Sequence, residues 1–365
     1  MKISEIIEYL EGIAPLDLQE SYDNAGLLLG DRLWECTGII TTLDATEEVM
    51  LEAFEKKCNL VIAHHPIIFG GLKKLTRKNY VEKAVISAVK NDIALYAIHT
   101  NLDNVLPGVN GRIADMLGLV NRQSLLPRKG ALRKLITYAP VAAAAKVRSA
   151  IFEAGGGHIG KYSECSFNTL GKGTFKAGPG TEPYVGNIGE QHTEEEVKIE
   201  VIFPAWRENE MIKSLVNSHP YKEVAYDIIP LNNQYQEAGS GIIGELPDPM
   251  EEKDFLKTLK ETFHLSVIRH TPLTNRPLKR IAVCGGAGSF LIANAIATKA
   301  DIFITGDVKY HEFFDANGQL LIADIGHYES EQFTIDLLFE LLTKKFPTFA
   351  IQKTKVKTNP VHYYS

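Results

Sequence analysis

The side chains in this sequence best suited to chemistry are histidines and carboxylates, and they stand at regular places. His64 and His65 are adjacent and directly follow the apolar run NLVIA (59–63). His99 and Asp103, in HTNLDN, follow IALYAI (93–98). Asp44 lies at the end of GIITTLDA (38–45), Asp307 follows DIFIT (301–305), and His327 follows QLLIADI (319–325). His327 and Glu331 are four residues apart, so on a helix they share one face. Adjacent histidines leave a loop in different directions and can give one nitrogen to each of two ions. Imidazole with carboxylate suits Zn²⁺, Fe²⁺ or Mn²⁺ better than Ca²⁺ or Mg²⁺. A carboxylate bridging two such ions holds them ~3.5–4 Å apart. The pattern predicts a centre for two divalent ions per chain, with Asp44 or His99 as general base or as the group that orients a ligand.

Each feature alone has a plainer reading. A His–His pair is often a surface accident, an HxxxE spacing is common on solvated helices, and Asp103 could form a turn with Asn101 and Asn104. Their joint placement after apolar runs sets the metal reading level with these plainer ones. His311, in GDVKYH, reads as a supporting or helix-surface residue, and Lys73 and Lys74 as part of a solvated loop. CGGAGS (284–289) reads as a tight strand-to-helix turn; it is not a full dinucleotide fingerprint. The sequence has no serine nucleophile elbow and no Walker motif.

Positioning these residues requires strands that end where the residues begin. NLVIA is continuously apolar, as a buried parallel strand is. The first part of the chain alternates strands (38–45, 59–63, 93–98) with helices (EEVMLEAFEKK, 80–91, VNGRIADMLG). The last part repeats this with strands at 280–284, 301–305 and 319–325, a helix at SFLIANAIATKA, and a long helix from about Tyr328 to Lys345. In open α/β sheets ligands bind outside the carboxyl ends of strands, so one shared parallel sheet would bring all these residues to a single edge. The middle carries 11 of the 29 glycines. Its order reads strand (132–138), helix (141–154), strand, strand (195–203), helix (205–217), strand (223–229), the ferredoxin-like β-α-β-β-α-β pattern. VKIEVIF alternates apolar and charged residues, so one face is buried. The predicted fold is a discontinuous three-layer α/β domain, residues 1–126 and 232–365, interrupted by a ferredoxin-like α+β domain at 127–231.

Composition bounds the rest. A chain of 365 residues with 45% hydrophobic residues suits two domains. A net charge of −6 and a pI near 6.0 give no basic footprint, so nucleic acid is not an expected partner. Cys36, Cys58, Cys165 and Cys284 are scattered, with no C-x-x-C, which points to a reduced, cytoplasmic protein. MKISEIIEYLEG places Ile3, Ile6, Ile7 and Leu10 at helical spacing, so it reads as an amphipathic helix and not as a signal peptide. No apolar run is long enough to span a bilayer.

Taken in order, AHHPIIFGGLKKL, AIHTNLDN, CGGAGS, ITGDVKYH and GHYESE resemble the motif series of the GTP cyclohydrolase 1 type 2 homologue family, also called Nif-three-like. The resemblance runs from YDNAGLLLG to TNPVHYY. The middle segment, with GKGTFKAGPGTEPYVGNIGE, is similar to the insert of the longer bacterial members, whose fold is like that of nitrogen-regulatory PII and divalent-cation-tolerance proteins. The resemblance implies a dinuclear metal centre on His64, His65, Asp103, His327 and Glu331, and a ring-shaped homohexamer with its metal sites facing an internal cavity. Two functions are expected from it. One is a metal-dependent hydrolase of a small molecule, by GTP-type ring opening or by phosphoester or amide hydrolysis. The other is a non-catalytic metal-handling or regulatory assembly.

Overall fold

The amphipathic start forms the helix Ile3–Ile13, and its apolar stripe, Ile3, Ile6, Ile7 and Leu10, is fully buried. This computed structural model describes residues 1–364. The chain is a mixed α/β protein that divides into two compact units, Met1–Pro127 with Gln236 onward, and Arg128–Tyr235. Among the described residues no helix is long and apolar enough to cross a membrane.

The strands of the first segment are β1 (Gly26–Leu29), β2 (Ile39–Thr42), β3 (Leu60–Ala63), β4 (Ala94–Ala97) and β5 (Val120–Arg128). The middle segment supplies β6 (Leu132–Pro140), β7 (Phe167–Lys176), β8 (Gln191–Pro204) and β9 (Tyr226–Leu231). The last supplies β10 (Tyr235–Met250), β11 (Arg269–His270), β12 (Leu278–Ala287), β13 (Ile302–Gly306), β14 (Leu321–Asp324) and β15 (Ile351–Lys353).

The discontinuous unit contains two sheets, ordered β1-β4-β3-β2-β15 and β11-β14-β13-β12-β10-β5. The expectation of one shared sheet is therefore corrected: the strands divide between two sheets, and each sheet takes an edge strand from the other chain segment, β15 in the first and β5 in the second. β15, β2, β3 and β4 run parallel in the first, and β12, β13 and β14 in the second. Every residue of β2, β3, β4, β13 and β14 is buried, as parallel strands covered on both faces must be. In the first sheet Ile40, Val61 and Leu95 pack on Val49, Met50 and Ala84 of the helices Glu47–Glu55 and Tyr80–Lys90. Thr46 and Asn79 cap these helices by accepting the first-turn amides of Val49 and Glu82. The helix Thr334–Lys345 packs against β2 and β15. In the second sheet Ala282, Phe303 and Ile322 pack on Leu291, Ile292 and Ala295, and the helix Val109–Met116 lies against β12. Each sheet is thus the middle of an α/β/α sandwich.

The long C-terminal helix expected from about Tyr328 is two helices, His327–Glu331 and Thr334–Lys345. Two side chains bond backbone carbonyls around the break. Ser330 Oγ donates to the His327 carbonyl at 2.8 Å, and Gln332 Nε2 donates to the Glu329 carbonyl at 3.3 Å. The Glu329 carbonyl is the one a continuous helix would give to the Phe333 amide.

The second unit runs strand, helix Val141–Glu153, two strands, helix Glu208–Ser218, strand, with sheet order β7-β8-β6-β9 and every pair antiparallel. That is the split β-α-β arrangement of a ferredoxin-like sheet. Leu135, Ile199, Val201 and Phe203 pack one sheet face onto Val147, Ile151, Met211 and Leu215 of the two helices.

Candidate metal centre

The carboxyl ends of the parallel strands of both sheets meet. His64 and His65 leave β3, Asp103 ends the single turn Thr100–Asp103 after β4, and His327 and Glu331 bracket the short helix after β14. The site is built around Glu331, which is buried at 3% exposure. Its Oε2 lies 2.9 Å from His65 Nε2 and 3.1 Å from His327 Nε2. Its Oε1 faces the other pair, 3.9 Å from His64 Nε2, which in turn is 3.6 Å from Asp103 Oδ1. The result is two three-residue sets, His65–His327–Glu331 and His64–Asp103–Glu331, each with ligand atoms close enough to hold a metal ion. A third such set is His64, His65 and His99.

Each imidazole is oriented by its far nitrogen. His64 Nδ1 lies 2.8 Å from the Ile98 carbonyl, so it carries the hydrogen and Nε2 keeps a lone pair. Asp44 Oδ1 accepts from His65 Nδ1 at 2.7 Å, and its Oδ2 accepts from Thr358 Oγ1 at 2.6 Å. Asp307 accepts from His327 Nδ1, and Asp23 from His99 Nδ1, both at 2.8 Å. Carboxylate–histidine pairs of this kind fix ring orientation and raise ligand basicity.

The electrostatics divide the cluster. Burial pushes His64 down to about 4, so it is neutral. Burial also works against charging His65 and His327, but the partners win: Asp44 and Glu331 raise His65 to about 10, and Glu331 and Asp307 raise His327 to about 9. Burial, with Glu331 nearby, lifts Asp103 well above the usual carboxylate range. Glu331 is equally buried, yet the hydrogen bonds from His327 and His65 hold it well below that range. Burial would likewise raise Asp23, but His99 and Thr100 hold it at about 2. Two buried atoms of the cluster, His64 Nε2 and Asp103 Oδ1, find no hydrogen-bond partner.

Glycine makes the approach to Glu331 possible. Gly286 has φ +62°, and a Cβ there would come 2.4 Å from Glu331 Oε1. Its amide donates to Ser330 Oγ at 3.0 Å, on the helix that carries Glu331. The glycines of CGGAGS thus serve close approach to a carboxylate.

All five residues picked as ligands come together, and Asp44, His99 and Asp307 sit around them as hydrogen-bond partners or neighbours. Lys73 and Lys74 lie on an exposed loop. His311 is exposed on the helix Tyr310–Ala316, its ring beside Tyr310 and Phe314, and takes no part. Asp23 and Thr358 were not singled out by spacing. Asp23, in YDNAGLLLG, precedes its apolar run and does not follow it, so it is not marked as a strand-end residue, and Thr358 comes from the far end of the chain. A cavity of about 460 Å³ opens on the cluster, lined by His65, His99, Asp103 and Glu331 and by Tyr22, Phe69 and Phe290.

The profile of the DUF34/NIF3 family (NGG1p interacting factor 3) matches residues 1–360. The chain belongs to this family. Among DUF34/NIF3 relatives, proteins named GTP cyclohydrolase 1 type 2 homolog from Halalkalibacterium halodurans and Bacillus subtilis are 37% and 36% identical. The first match covers 99% of both chains, and the second 96% of this chain and 93% of the relative. The crystal structure of a Bacillus cereus protein related to NIF3 is similar at a TM-score of 0.87 and 36% identity, over 100% of this chain and 99% of that one. A Staphylococcus aureus protein of known structure follows at a TM-score of 0.77 and 30% identity, with the same coverage.

Proposed function

We propose that this DUF34/NIF3 protein is a metal-dependent hydrolase with two divalent ions per chain, Zn²⁺, Fe²⁺ or Mn²⁺. His65 and His327 would hold one ion, His64 and Asp103 the other, and Glu331 would bridge them. The observation that carries the reading is the pair of unpartnered buried acceptors, His64 Nε2 and Asp103 Oδ1, set beside the shared Glu331 carboxylate. A buried polar atom without a partner costs about 1–3 kcal/mol, and two facing acceptors are satisfied by a cation and not by each other. When bound, the ions supply Lewis acidity to a substrate oxygen and to water.

The chain's own groups do the rest. Asp44 and Asp307 fix the tautomers of His65 and His327. Asp23 holds His99 Nδ1, which leaves the His99 Nε2 free for proton transfer in the cavity. The cavity favours catalysis over metal handling, because its aromatic side, Tyr22, Phe69 and Phe290, gives a substrate a surface to bind. The relatives' name makes a GTP-type ring opening the first reaction to assay, with phosphoester and amide hydrolysis beside it. On the family resemblance we further propose that the protein acts as a homohexamer, which light scattering on a sizing column tests directly.

The decisive assay screens GTP, phosphoesters and amides with metal-loaded protein. Turnover should vanish on chelation, return with Zn²⁺, Mn²⁺ or Fe²⁺, and fall at least ~100-fold in Asp103→Asn, since an amide brings no charge to balance the ions. Turnover that ignores both chelation and Asp103→Asn would lie outside this site. The metal-handling reading would then take its place.

A further inference from the structure

The glycine-rich stretch GKGTFKAGPGTEPYVGNIGE has no part in the metal centre, yet it builds a second cavity, of about 840 Å³, wholly within the ferredoxin-like unit. One sheet face of that unit is covered by its helices. Strand alternation puts Glu196 and Lys198 of β8, Tyr138 of β6 and Gly171, Gly173 and Phe175 of β7 on the opposite face. The loop after β7 and the turn at Tyr221 form the walls.

Glu196 is the unusual residue there. Only 9% of it is exposed, and its Oε1 accepts from Tyr221 Oη at 2.9 Å. Its other oxygen has no hydrogen-bond partner among the described residues. Gly173 makes room for that oxygen, since a Cβ at 173 would fall 2.0 Å from it. Tyr221, which touches the carboxylate, stands beside two further rings of the cavity: its centroid is 6.2 Å from that of Phe175 and 6.1 Å from that of Tyr184. Tyr221 is itself fixed, its amide donating to His219 Nδ1 at 3.0 Å while His219 Nε2 donates to the Tyr138 carbonyl.

The nearby cations are already engaged. Lys198 pairs with Glu200 at 3.0 Å, and Lys222 pairs with Glu182. Lys172 and Lys176 also border the cavity, but alternation along β7 sets them on the face away from Phe175.

We infer that this cavity binds a small organic cation bearing N–H donors, an alkylammonium or a guanidinium, on Glu196 among Phe175, Tyr184 and Tyr221. The free carboxylate oxygen accepts an N–H, and the ring faces attract the positive charge. A cation held by Glu196 alone would sit in water-like surroundings; the rings and the burial of Glu196 strengthen the attraction by excluding water. The site is assigned to unit two alone and does not depend on what the metal centre does.

Calorimetric titration of the full chain with spermidine, arginine, tetramethylammonium and inorganic phosphate tests this. Spermidine or arginine should bind, and the stronger of the two tells a free polyamine from a guanidinium. Tetramethylammonium, with no N–H, should bind at least ~10-fold more weakly. Glu196→Gln keeps an acceptor for Tyr221 and should weaken binding ~10-fold or more. Tyr184→Ala alters an exposed ring and should weaken it several-fold, with melting unchanged. No heat with any amine or guanidinium at millimolar concentration overturns the proposal. So does binding that Glu196→Gln leaves intact, or a preference for phosphate.

Discussion

At the residue scale the cluster sets the one Glu331 carboxylate against the His65 and His327 imidazoles, and this gives a signature in titration. In metal-stripped protein His65 and His327 are raised to about 10 and about 9 from the ordinary 6.5. The stability they contribute is full below pH ~6.5 and is lost as pH climbs through 9–10. His64 behaves oppositely. Its folded value of about 4 means its contribution is full above pH ~6.5 and is lost as pH falls through about 4. The stripped protein should therefore melt highest near pH 6–7 and lower on either side. Because ligands bind ions only when deprotonated, ion binding should release protons, and apparent affinity should rise with pH up to about 9–10. Histidine NMR of stripped protein checks the assignment, and a His65 ring titrating near 6.5 would refute it. Among substitutions, Glu331→Gln should remove both ions, because both sets use that carboxylate. His327→Ala should empty one position and leave His64, Asp103 and Glu331 for the other. Elemental analysis distinguishes them: equal losses in the two variants would argue against a bridging Glu331.

At the element scale the short helix His327–Glu331 is held by the glycines at the end of β12, where the Gly286 amide donates to Ser330 Oγ, and by the last segment of the chain, where Asn359 Nδ2 donates to Glu329 Oε1 at 3.3 Å. Gly286→Ala adds a Cβ where Glu331 Oε1 stands and where φ is +62°. It should cost about 1–3 kcal/mol in stability and most of the bound metal, read by melting and elemental analysis together. A variant with normal metal content would show that the bridge tolerates displacement. Thr358 acts more gently. Its hydroxyl fills the second oxygen of Asp44, the group that orients His65. Thr358→Val should weaken metal binding by about 2–10-fold, the worth of one hydrogen bond, while Thr358→Ser should restore it. Equal weakening in both variants would assign the effect to packing at 358.

At the scale of the whole molecule the ferredoxin-like unit has its own sheet and its own core of Leu135, Val147, Ile199, Phe203 and Met211. We expect Arg128–Tyr235 to unfold cooperatively when expressed alone, and the remaining segments, rejoined by a short linker, still to bind metal. Urea melting with a clear transition supports this; a broad, non-cooperative melt of the isolated piece would mean that its core is incomplete without the rest of the chain.

What the sequence by itself determined is local. Continuous apolar runs declare buried strands, so β2, β3, β4, β13 and β14 and the polar residues just past them were legible. The i, i+4 spacing of His327 and Glu331 places both on one helical face, and the alternation in VKIEVIF marks a one-sided sheet. β5 and β10 were not legible: Pro127, Pro247 and Pro249 and the glycines of EAGSGIIGEL break the alternation, and the pairing is supplied by neighbouring strands. The tertiary structure alone decided that the strands divide between two sheets, with β5 and β15 exchanged between the chain segments, because strand partners are chosen by long-range packing. It also decided that the predicted helix breaks after Glu331, where side chains take backbone acceptors. Finally it decided that Asp23 and Thr358 complete the hydrogen-bond shell. A carboxylate or hydroxyl 76 or 314 positions from its partner leaves no mark in local spacing, since the fold, and not the chain, makes them neighbours.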